Sequence, residues 1–84
     1  TMSERARMLG DRAELRQEYN RQMASCGALR TKMRELLSPV EDVFKLDRDA
    51  LLDTMMVLHS ELGELKVMAK KLSLYNRELG DSRD

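Results

Sequence analysis

Leucine recurs at every seventh position from residue 51 to residue 79, at Leu51, Leu58, Leu65, Leu72 and Leu79. That spacing keeps one residue type on a single seam of a helix winding at about 3.5 residues per turn. With the leucines at heptad position d, the a positions are Met55, Leu62, Ala69 and Asn76, and the apolar steps alternate three and four. The pattern predicts a leucine-zipper coiled-coil helix over residues 51–80, with Leu51, Met55, Leu58, Leu62, Leu65, Ala69, Leu72, Asn76 and Leu79 as its oligomer interface. Glu61 at g and Lys66 at e are placed to pair across a parallel dimer. Asn76 reads in two ways. An amide at a fixes register and a two-stranded state, whereas a polar residue four positions before Gly80 is equally explained as a fraying helix end.

Residues 1–37 carry a second, weaker stripe, an N-terminal Arg-rich amphipathic helix from about Ser3 to Leu37. Met8, Leu15, Leu29 and Leu36 stand at d and Tyr19, Cys26 and Met33 at a, with Arg12 and Gln22 interrupting. Gly10, Asp11 and Glu14 offer an alternative helix start with Asp11 as cap, which leaves residues 1–10 frayed. Gly27 within the helix costs roughly 1 kcal/mol relative to alanine.

The two stripes are out of phase by one residue, so the helix is interrupted between them. Ser38, Pro39 and Glu41 suit a cap, a first helical position and a reciprocal capping carboxylate, which predicts a break or kink at Ser38-Pro39. Asp47 is a second candidate cap. Residues 38–50 are thus a junction, Gly80 stops the second helix, and 81–84 are expected to be a disordered tail.

The expected fold is all-α, two long helices in a coiled coil, and the junction admits two architectures. In an extended parallel homodimer both helices run one way, reaching on the order of 120 Å. In an antiparallel hairpin they fold back, and two hairpins pair into a four-helix bundle. The extended form is favoured because Val40, Val43, Phe44 and Leu46 keep helical spacing through the junction and no Gly or Asn marks a reversal. The hairpin draws support from matched lengths and from charge, since residues 1–37 hold eight Arg/Lys against five Asp/Glu in a chain of formal net charge +0.

One stretch is too apolar for a two-stranded seam. Leu52, Met56 and Val57 surround the zipper leucines, and Met68 and Tyr75 at g widen the stripe, so this helix needs more than one neighbour. Either a four-stranded section or a docking patch for another protein accounts for it, with methionine supplying adaptable contacts.

Composition narrows the function. With 84 residues, 36% charged, 4% aromatic and no Trp, the chain is a helix former with little to fill a globular core, and stability is expected from a second copy as a dimer or tetramer. No apolar run approaches the ~18 residues of a membrane span, and a lone Cys26 implies a reducing, intracellular setting, cytoplasmic or cytoskeletal. One histidine, His59, makes no zinc cluster with one cysteine. No phosphate loop or nucleophile elbow appears, and the acidic residues Glu41 to Asp53 lack calcium-loop spacing. Neither a catalytic activity nor a cofactor is expected.

The leucine row resembles the basic-leucine-zipper transcription factors, but in the zipper alone. Those proteins carry a dense basic run up to the first leucine, where this chain has Asp47, Arg48 and Asp49, a stretch that DNA repels. Arg12, Arg16, Arg21, Arg30, Lys32 and Arg34 offer instead a candidate contact with an acidic surface such as a microtubule. The expected function is an oligomerisation and scaffolding segment of a larger protein, of cytoskeletal, centrosomal, kinetochore or tethering type. The alternative is a small helical secretion or flagellar-type chaperone, holding a client helix on its Met/Leu patch.

Overall fold

The computed structural model describes residues 2–38 and 42–80. Helix α1 spans Met2–Leu37 and helix α2 spans Arg48–Glu78, and the described part of the connector between them includes a 3-10 turn, Val43–Lys45. The helices lie side by side in a body of 63 × 18 × 15 Å.

They run antiparallel. Arg5 Nη1 donates to the Leu79 carbonyl (3.4 Å) and Arg12 Nη1 to Asn76 Oδ1 (2.9 Å). Gln22 Nε2 donates to Glu64 Oε2 (2.8 Å) and Ser25 Oγ to Glu61 Oε1 (2.9 Å). Stepping forward along α1 from residue 5 to residue 25 therefore steps backward along α2 from 79 to 61. The extended parallel form expected from the sequence is replaced by the hairpin, and the 120 Å rod by a body about half as long.

Two aspartates cap the described part of the connector. The Asp42 side chain accepts from the Phe44 amide (3.1 Å) and caps the 3-10 turn. Asp47 accepts from the Ala50 amide (3.0 Å) and caps α2. Short carboxylates compete with the helix for backbone donors, which is what a chain reversal needs. Asp47 is thus the start of the second helix. Ser38, expected as a cap, instead closes α1, its hydroxyl and its amide both donating to the Glu35 carbonyl (2.9 and 3.2 Å). Pro39 and Glu41 lie outside the described residues, as do 81–84. Two further boundaries are clear. Helix α1 runs unbroken through Gly10 from Met2, so no frayed segment precedes Asp11. Gly80 takes φ +77°, the left-handed conformation that ends a helix without a Cβ clash.

The packed faces differ between the helices. Helix α1 turns its a and d rows inward, as its stripe predicts, and Cys26 is buried. Helix α2 turns its d and g rows inward. Leu65, Leu72 and Leu79 at d are buried, and Met68 and Tyr75 at g are half-buried. Thr54, also at g, is 3% exposed and satisfies its hydroxyl on the Ala50 carbonyl (2.7 Å). An apolar stripe three rows wide exceeds what one neighbouring helix can cover. The row left out is a.

Candidate interaction surface

The expected zipper seam is therefore split by the fold. Its leucines at d, Leu51, Leu58, Leu65, Leu72 and Leu79, are spent on α1 of the same chain. Its a residues Met55 (47% exposed), Leu62 (47%) and Ala69 are open to solvent. Asn76 is the exception among the a residues: it is 5% exposed and accepts from Arg12. It is neither frayed nor paired with another amide. Its carbonyl meets the guanidinium that interrupts the α1 stripe. Of the expected partner patch, Leu52, Met56 and Val57 are exposed, whereas Met68 and Tyr75 turn toward α1.

Helical handedness decides which exposed rows share a side. In two right-handed helices running in opposite directions, row e of α1 and row a of α2 border the same side of the pair, and row g of α1 and row c of α2 border the other. The contacts agree. Ser25 at g and Gln22 at d reach Glu61 and Glu64 on one flank, while Arg12 and Asn76, both at a, meet toward the opposite one.

The first flank is polar and internally tied. Glu61 accepts from Ser25 through both carboxylate oxygens (2.9 and 3.2 Å) and lies 3.9 Å from Cys26 Sγ. Burial and then the Glu61 charge push the Cys26 thiol up from its ordinary value, against a smaller opposing effect of Arg30. A buried, protonated thiol is a small core residue and a poor nucleophile.

The second flank is apolar and open. Leu9 (40% exposed), Met23 (49%) and Leu37 (45%) of α1 and Met55, Leu62 and Ala69 of α2 border it, Met23 standing level with Leu62 and Leu52 lying further out. Sequence reasoning missed the α1 contribution, because Leu9, Met23 and Leu37 recur only every fourteen residues, with Arg16 and Arg30 between them. A second heptad reading of that helix, one row over from the packed face, would have found them.

The six basic residues expected to form one acidic-surface contact are dispersed. Arg12 turns to Asn76, Arg21 pairs with Glu18 on α1 itself, and Lys32 stands at g on the polar flank. Arg16, Arg30 and Arg34 stand on the open flank. His59 is exposed at e. Among the described residues, no group of three or more His, Cys, Asp or Glu side chains is placed to hold a metal ion, and no helix is long and apolar enough to cross a membrane. Comparison with protein-family models, with curated proteins and with solved structures finds no match.

Proposed function

We propose that this chain is a protein-association segment, a helical hairpin that joins copies or partners of a larger protein through its open flank. The observation that supports the reading is the exposed a row of α2. Met55, Leu62 and Ala69 keep seven-residue spacing, which is a demand of helix packing, yet among the described residues they stay exposed, Met55 and Leu62 at 47%. Exposed apolar rows of this kind on a helix pair are the usual basis of bundle and groove docking. The scaffolding role expected from the zipper thus moves from d, which the hairpin consumes, to a.

The test is sedimentation of the chain alone and with three amphipathic four-heptad peptides, Leu at a and d and Glu, Lys or Gln at e and g. Association in at least one of these mixtures is expected, abolished by Leu62→Asp with no change in helicity by circular dichroism. A chain that stays monomeric and binds none of the peptides, or a Leu62→Asp variant that associates like the parent, refutes the reading.

A further inference from the structure

Charge divides between the two flanks. Among the described residues, rows e and b of α1 and rows a and e of α2 contain no carboxylate. They carry Arg30, Arg34, Arg48 and Lys66, all exposed, around the apolar residues of the open flank. The carboxylates stand elsewhere, with Glu18, Glu61 and Glu64 on the polar flank. A chain that is neutral in total therefore offers a cationic, apolar side and an anionic, hydrogen-bonded side.

This separation decides among occupants. Two copies meeting through their open flanks, the self-complementary arrangement of a twofold dimer, would face Arg30, Arg34 and Lys66 with the same cations and no counter-charge. Like charges brought together at an interface oppose the apolar gain and select against that partner. An amphipathic helix bordered by carboxylates has no such conflict. The site is also a groove between two helices, with its apolar residues at heptad spacing on α2, which suits a third helix. On the strength of the association reading above, we propose that the occupant is an amphipathic helix of another protein whose apolar stripe is bordered by Asp and Glu.

The helix inserts its apolar row against Met55, Leu62 and Met23, and its carboxylates lie beside Arg30, Arg34 and Lys66. Long basic side chains cover the edge of the apolar contact with their methylenes while their charged ends stay wet. Charge supplies selectivity and rate here, and the apolar contact supplies affinity.

The Glu, Lys and Gln peptides test this directly by fluorescence anisotropy. The Glu peptide should bind at least tenfold more tightly than the Lys peptide, and the gap should narrow with added salt. Arg30→Glu combined with Lys66→Glu, both exposed substitutions, should reverse the preference while Leu62→Asp removes binding of every peptide. Equal binding of the Glu and Lys peptides, or binding of anionic phosphatidylserine vesicles in preference to any peptide, overturns the acidic-helix proposal. Self-association through the open flank without peptide binding also overturns it, yet leaves the association reading standing. A monomer that binds nothing removes both.

Discussion

On the flank bordered by g of α1 and c of α2, Ser25 and Gln22 donate to Glu61 and Glu64, so polar groups on one helix find partners on the other. On the opposite flank, Leu9 and Met23 of α1 and Met55 and Leu62 of α2 remain exposed. Both flanks come from the same heptads on the same two helices. The difference shows that periodicity fixes that a helix will pack, while the rotation of one helix against the other fixes which rows are left to meet a partner.

The largest test contrasts an inward leucine with an outward one. Leu72→Asp places a carboxylate where the side chain is 3% exposed, and loss of the hairpin is expected, at about 3 kcal/mol or more by thermal denaturation. Leu62→Asp should alter hairpin stability by no more than about 0.5 kcal/mol, because its side chain already meets water. Equal damage from the two would mean that a, not g, faces α1. Next in size is the Arg12 and Asn76 bond. Asn76→Ala should cost about 1–2 kcal/mol, and a double-mutant cycle with Arg12→Ala should show coupling, measured by urea denaturation. Additive losses would place the two side chains apart in solution.

Gly63 points to open space, and an added Cβ meets nothing within 4 Å. Gly63→Ala should therefore raise the melting free energy by up to about 1 kcal/mol. Destabilisation would show a close neighbour there. The smallest effect belongs to Cys26. Its raised pKa means that the folded chain holds its proton after the unfolded chain has lost it. Stability is then unaffected below the ordinary thiol pKa of about 8.5 and declines as pH rises beyond it. Cys26→Ala should abolish that decline in pH-dependent melting.

Much of this fold was legible in the heptads. The two helices, the inward a and d rows of α1, the buried Cys26, the end at Gly80 and the alternative cap at Asp47 all follow from spacing and end chemistry. The fold-back was legible only as the second of two architectures, from matched lengths and charge, because Asp42 and Asp47 accept backbone amides in a stretch whose apolar spacing still looks helical. The d and g packing of α2 was not legible. A stripe containing Leu62, Leu65 and Met68 is apolar across a, d and g alike, and it is the burial of Leu65 and Leu72 at d and of Thr54 at g, with the Ser25 and Glu61 bond, that marks the two rows meeting α1. The open flank was half visible, its α2 row read as a zipper and its α1 row hidden by alternating arginines.

The contact between Arg5 and the Leu79 carbonyl brings the start of one helix against the end of the other. A polypeptide that continued from both ends would leave from one pole of a stalk. The opposite pole, where Phe44 is 96% exposed, would then stand off by most of the 63 Å length. Such a spur adds reach without diverting the path of the chain that carries it. Shortening both helices by matched heptads would draw the tip inward in steps of about 10 Å while preserving the spacing of its rows.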